Sequence, residues 1–200
     1  LTNPPAERLT ERVAAHAPHK GAKVFLTSGG GDSIDTAAKI ARAYFNQIGE
    51  PGRQHLIGRT NGYHGTHGFG TSIGGIEANQ TGFGPIVADT SQIPHDQAEA
   101  LEVEIQRVGP ERVAAFYCEP IIGAGGVYLP PDGYLQRTAE ICRDYGVLFI
   151  ADCVICGFGR LGTWLGYERF DIKPDMITLA KGISNGTLPL GAVVVAPHVA

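Results

Sequence analysis

Short apolar runs alternate along this chain with segments in which apolar residues recur every three or four positions. Six runs are rich in β-branched and aromatic residues and alternate little with polar ones: 22–27, 54–59, 113–118, 146–151, 176–180 and 191–196. Such runs are typical of strands that are buried on both faces of a sheet. The pattern therefore predicts six strands.

Three of the intervening segments carry apolar stripes at helical spacing. The stripes are Ile34, Ala37, Ala38, Ala41 and Phe45; Leu101, Ile105 and Val108; and Leu135, Thr138, Ile141, Cys142 and Tyr145. Strand–helix–strand repetition predicts an α/β fold with a largely parallel sheet and helices on both faces. In such sheets ligands bind beyond the carboxyl ends of the strands.

One long segment, 60–94, departs from this alternation. It is rich in glycine, poor in charge, and contains His64 and His67. It is too long for a simple connector, and long loops in compact domains are often functional.

Composition narrows the class of protein further. The chain has 200 residues, 43% of them hydrophobic and 18% charged, which predicts a soluble globular protein. A net charge of -4 argues against nucleic acid or a membrane surface as the partner. The four cysteines are too few for a disulfide framework, so we expect a cytoplasmic protein. A start at Leu1 without methionine, and an end directly after a strand-like run, lead us to expect a piece of a longer protein.

Chemically capable residues follow three of the predicted strands. After the first strand, Gly29–Gly31 open a helix, and free N–H groups there suit phosphate, although a capped glycine turn is an equally good explanation. Asp152 follows the fourth strand, where a carboxylate is costly unless it is paired; a helix cap or a local ion pair is the ordinary alternative. Lys181 follows the fifth strand, where a lysine can become a nucleophile that forms a Schiff base, although a lone lysine is more often on the surface.

Together these three features match the needs of pyridoxal phosphate. Its phosphate needs a helix N-terminus, its aldehyde needs a lysine, and its pyridine nitrogen needs a carboxylate that keeps it protonated. Tyr63 lies in the sequence Gly62-Tyr63-His64-Gly65 and offers an aromatic face that could stack on the ring. The nearby glycines favour a close approach to a ligand. A core aromatic is the usual alternative for such a residue.

Five motifs in one order carry a family resemblance. They read TSGGGDSIDTAAKIARAYF, NGYHGTHGFGTSIGG, FYCEPIIGAGGVYLPPDGYL, LFIADCVICGFGRLGTWLG and PDMITLAKGISNGTLPLGAVVV. From about Phe25 to Val195 the chain resembles the class III pyridoxal-phosphate aminotransferases. It is most similar to their omega-amino-acid–pyruvate branch.

The resemblance implies a fold and a set of site residues. Residues 1–200 are expected to form the cofactor-binding large domain of a fold-type-I pyridoxal enzyme, without its small-domain segments. The sheet is expected to have seven strands and to be parallel except for the run at 191–196. The expected site consists of Lys181 as the Schiff-base lysine, Asp152 on the pyridine nitrogen, Val154 on the ring face opposite Tyr63, the amides of Gly30 and Gly31 on the phosphate, and Glu119 nearby.

The resemblance also implies an activity and partners. A ping-pong reaction would move an amino group from an omega-amino acid or amine to a keto acid such as pyruvate. The full-length protein would be a homodimer. The alternatives are another pyridoxal enzyme of the same fold (an aminomutase, racemase or decarboxylase) and a catalytically incomplete fragment.

Two departures from the family pattern bear on the cofactor site. The family usually has Glu where this chain has Cys153, and commonly has Ser where it has Gly31. Cys153 and Cys156 also form a C-x-x-C pair, which raises a thiol oxidoreductase or a metal site as a further alternative. The Gly-Phe-Gly-Arg that follows is a poor helix start, and Cys118 and Cys142 do not form a second pair. We therefore interpret Cys153 as a substitution beside the functional residue Asp152.

Overall fold

The computed structural model describes residues 2–83 and 86–200. The α-helices in these ranges are α1 Pro4–Ala14, α2 Gly30–Gln47, α3 Gly68–Ile73, α4 Glu99–Val108 and α5 Tyr134–Tyr145. The β-strands are β1 Lys23–Thr27, β2 His55–Arg59, β3 Thr90–Ile93, β4 Val113–Cys118, β5 Leu148–Asp152, β6 Met176–Leu179 and β7 Gly191–Val195. In the described ranges, no helix combines the length and the apolar character that crossing a membrane requires.

The strands form one seven-stranded sheet in the order β1-β7-β6-β5-β4-β2-β3. β7 runs antiparallel to both of its neighbours, β1 and β6, and the remaining pairs are parallel. This confirms the expected seven-stranded α/β sheet with its one antiparallel strand at 191–196.

Helices cover both faces of the sheet, which explains why its central strands are mostly apolar. β4, β5 and β7 are buried at every position. Their alternate residues enter two separate cores: the apolar stripe of α2 packs in one, and the stripes of α4 and α5 pack in the other. The result is a helix–sheet–helix arrangement in three layers. The carboxyl ends of all the parallel strands lie at the same edge of the sheet.

The six apolar runs and the stripes of α4 and α5 match observed elements to within two residues at each end, whereas α2 begins at Gly30, four residues before the first residue of its stripe, Ile34. The pattern missed β3, whose sequence Thr-Ser-Gln-Ile is short and polar because the strand lies at the sheet edge with only Ile93 buried. It also missed α1, which lies outside the strand–helix alternation and buries only Val13. The segment 60–94 is not one loop: it contains α3, a 3₁₀ turn at Glu77–Asn79 and β3.

Candidate active site

A cavity of about 230 Å³ lies at the edge where the parallel strands end. Its walls come from the segments that follow β1, β2, β4, β5 and β6. All seven residues that the sequence predicted for the site line it: Gly30, Gly31, Tyr63, Glu119, Asp152, Val154 and Lys181. A larger, open hollow beside α4 and α5 contains none of these residues.

The start of α2 leaves its first amides without side-chain caps. Asp32 folds back, and its Oδ2 accepts hydrogen bonds from the backbone N–H and the hydroxyl of Ser28 at 2.8 and 2.9 Å. The backbone bond from Ser28 is the main reason that the pKa of Asp32 is lowered. Ser33 donates its hydroxyl to the carbonyl groups of Gly29 and Leu179. The capping explanation is therefore excluded for these two side chains, and the N–H groups of Gly30 and Gly31 have no partner within the helix.

Asp152 is buried at the end of β5 and is held by three donors. His64 Nδ1 donates to Oδ2 at 2.7 Å, while the amide of Val154 and the hydroxyl of Thr178 donate to Oδ1 at 3.1 and 3.2 Å. The side chain of His64 is 1% exposed and that of Asp152 is 4% exposed. These bonds fix the orientation of the carboxylate and offset the cost of burying its charge.

Glu119, which follows β4, ties two loops of the site together. Its Oε1 accepts from the amide of Tyr63 at 3.0 Å, and its Oε2 accepts from the amide of Gly123 at 2.9 Å. Arg59 donates to its backbone carbonyl. Burial, with the nearby charge of Asp152, raises the pKa of the Glu119 carboxyl, while His64 and the two amides oppose this rise. Glu119 thus positions the backbone of Tyr63 at the cavity wall.

Lys181 begins the short 3₁₀ turn Lys181–Ile183 after β6 and lines the cavity. The strand before it is fully buried, whereas the lysine itself is exposed, the position that a lone lysine more often takes. Its φ of 47° lies in the left-handed region, which is strained for a residue with a side chain. Such strain is concentrated at functional sites.

Val154 lies close to the start of α2. A Cβ added at Gly30 would stand 3.0 Å from Val154 Cγ1 and 3.6 Å from the Cβ of Ala180. Glycine is therefore needed at position 30 because the two segments approach closely. Val154 and Tyr63 line the same cavity, and their placement on opposite faces of a bound ring stays a prediction.

The sequence analysis noted His64 and His67 in the segment 60–94 but predicted no role for either residue. His64 contacts Asp152, a residue 88 positions away, so no local pattern could reveal the pair. The adjacent Tyr63 was the available signal, because both residues follow a strand that ends at the same edge as β5. His67 also lines the cavity.

The four cysteines are buried and unpaired. Burial raises the pKa of Cys118 and of Cys156 to about 11 each, and it also raises the pKa of Cys153 and of Cys142. Reactive thiols have lowered pKa values. Within the described residues, no group of three or more His, Cys, Asp or Glu side chains could hold a metal ion. The cysteines therefore have the features of core residues.

Comparison with known proteins identifies an enzyme family. The family model "Aminotransferase class-III" matches residues 1–200. The chain is 41% identical to the putrescine–pyruvate aminotransferase of Pseudomonas aeruginosa, covering 96% of this chain and 46% of that protein. It is 38% identical to the beta-alanine–pyruvate aminotransferase of the same species, and the match covers 98% of this chain and 48% of that protein. The structure of an amine transaminase from an uncultivated Pseudomonas species, in its PLP-bound form, superimposes on this chain with a TM-score of 0.94 at 35% identity. The superposition covers 100% of this chain and 49% of that one.

Proposed function

The chain belongs to the class III aminotransferases, a family of pyridoxal-phosphate enzymes, and from this premise we propose that the whole protein is an omega-amino-acid or amine transaminase. It would transfer the amino group to a keto acid such as pyruvate. The chain spans about half the length of the relatives that it matches. The observation that carries the proposal is the meeting of a lysine, an anchored carboxylate and a glycine-rich helix start in one cavity.

The residues present fit pyridoxal phosphate. The uncapped amides of Gly30 and Gly31, at the positive end of an 18-residue helix, suit a phosphate. Asp152, held by three donors, stays available as an acceptor for a ring N–H. A cavity of about 230 Å³ is below the usual range of about 300–1,000 Å³ for drug-sized ligands, which suits a single substituted ring.

Each residue has a role in this proposal. When bound, the cofactor supplies an aldehyde that bonds to amines and a protonated ring that withdraws electrons from the substrate. Asp152 would accept the hydrogen bond from the protonated ring nitrogen, and His64 orients Asp152. Tyr63 and Val154 would lie against the ring, and Glu119 positions Tyr63 through its amide.

Lys181 carries the proton chemistry. Its Nζ would be the group that holds the cofactor aldehyde and would be released when a substrate amine binds. The free Nζ would take the proton from the substrate carbon that bears the amino group and pass it to the aldehyde carbon of the cofactor, and it would carry a proton the opposite way in the reverse half-reaction. Its position at the cavity wall, on a strained residue after a buried strand, supports this role.

The assembly and the location belong to the same proposal. We expect the whole protein to be a cytoplasmic homodimer, with residues 1–200 as its cofactor-binding large domain. Small-molecule amines and keto acids would be its substrates. The net charge of -4 supports small-molecule substrates over nucleic acid.

The experiment combines an activity assay with a chemical map of the lysine. The whole protein is incubated with an amine donor and pyruvate, and alanine formation is measured. Borohydride reduction with the cofactor, followed by peptide mapping, should place the adduct on Lys181. An adduct on Lys39 or Lys173, or racemisation or decarboxylation without amino transfer, would contradict the proposal.

A further inference from the structure

The ring of His67 lies against Gly31 at the start of α2. A Cβ added at Gly31 would stand 3.3 Å from the Cγ of His67 and 3.4 Å from its Nδ1 and Cδ2. That spacing is tighter than most real contacts of a Cβ, so with a side chain at position 31 the imidazole would have to move by a few tenths of an ångström. Glycine at position 31 therefore lets the ring lie directly against the start of α2.

Backbone contacts on either side of His67 place the segment that carries it against α2. Asp35 in α2 accepts hydrogen bonds from the amides of Phe69 and Gly70 at 3.4 and 3.1 Å, which fixes the start of α3 against α2. Gly65 has a φ of +90°, and a Cβ added there would stand 2.9 Å from the Cα of Gly31. The segment from Gly65 to His67 thus wraps around Gly31, and the imidazole is part of the cavity wall.

The ring nitrogens of His67 are available to a ligand. His67 is exposed, and its ring has no hydrogen-bond partner among the described residues. The ring borders Gly31, whose amide is uncapped at the start of α2.

A phosphate in this cradle needs more donors than the two glycine amides. Among the described residues that line the cavity there is no arginine. His64 is bonded to Asp152, and the amine of Lys181 is committed to the aldehyde. Of the other side chains that line the cavity, Thr66 carries a hydroxyl and His67 carries ring nitrogens, and His67 borders the residue where the family commonly has a serine.

We infer that His67 is a phosphate ligand of this site, in which its imidazole replaces the serine hydroxyl that Gly31 lacks. The inference rests on the proposed use of pyridoxal phosphate and goes beyond it, since it assigns a specificity for the phosphate to a residue of this chain. Gly31 and His67 act as a complementary pair: glycine admits the ring, and the ring donates an N–H to the phosphate.

The test measures binding of two ligands that differ only in the phosphate. Dissociation constants of pyridoxal phosphate and pyridoxal are measured by absorbance titration of the cofactor-free whole protein. His67→Ala should weaken binding of pyridoxal phosphate about tenfold, as expected for one hydrogen bond to a charged group, and change binding of pyridoxal by less than about twofold. His198→Ala, an exposed histidine outside the cavity, is the control and should change neither constant.

A second variant tests the pairing. Adding Gly31→Ser to His67→Ala should recover most of the lost affinity for pyridoxal phosphate, because the hydroxyl then has room to reach the phosphate. Equal losses for both ligands in His67→Ala would show a role in shaping the cavity and overturn the inference, as would unchanged affinity or a double variant no better than His67→Ala. If the wild-type protein bound neither ligand, the proposed function itself would be wrong, and this inference with it.

Discussion

Replacing His64 with leucine should destabilise the protein through Asp152. The substitution removes the shortest of three hydrogen bonds to a carboxylate, 2.7 Å long and almost completely buried. A hydrogen bond to a charged group contributes about 1.5–3 kcal/mol, and a buried acceptor that loses its donor lies toward the upper end of that range. We therefore expect the free energy of unfolding to fall by about 2–3 kcal/mol, a large part of the roughly 5–15 kcal/mol that is typical of a domain.

The assay is urea denaturation of the cofactor-free whole protein. His64→Asn can place its amide nitrogen near the position of Nδ1 and should recover part of the loss. His198→Leu is the matched control, because His198 bonds Asp175 at 3.0 Å while 51% exposed. An exposed pair of this kind contributes about 0–1 kcal/mol. The reasoning would be refuted if His64→Leu cost no more than His198→Leu, or if His64→Asn were as unstable as His64→Leu.

Three other predictions follow from the site. Asp152→Asn should still bind the cofactor but lose turnover by about 10²-fold or more, since the amide cannot stabilise a protonated ring; near-normal turnover would contradict its role. Burial raises the pKa of Glu119, so the folded protein holds a proton that the unfolded chain releases above the ordinary value of 4.5. The stability of the wild type relative to Glu119→Gln, followed by denaturation across pH, should therefore fall as pH rises from 4.5 toward the folded pKa; a constant difference would contradict this. Because burial raises the pKa of Cys156 to about 11, its thiolate fraction at pH 8 is about one hundredth of the ordinary value, and iodoacetamide should label it quickly only after unfolding, as measured by mass spectrometry.

The structure shows which groups hold Asp152, the neighbour of Cys153, where the family usually has glutamate. The donors to Asp152 are His64, Val154 and Thr178, and Cys153 points into the apolar core. A glutamate introduced at this position would bury a carboxylate among apolar side chains, which is costly. The substitution therefore leaves the orientation of Asp152 intact.

The sequence by itself determined the strands, the principal helices and the edge where the site lies. Strands buried on both faces must be apolar throughout, so six of seven were visible as continuous runs. The polar residues directly after them, such as Asp152 and Lys181, stood out for the same reason. A short polar strand at the sheet edge, β3, lacks that signal because little of it is buried.

The tertiary structure decided which residues meet. The bond between His64 and Asp152 joins positions 88 apart, and the contact between Gly31 and His67 depends on α3 being fixed to α2 through Asp35. Local periodicity reports only which face of an element is buried. Pairing across the sheet edge depends on strand order and on the path of the loops, and these are set by packing of the whole domain.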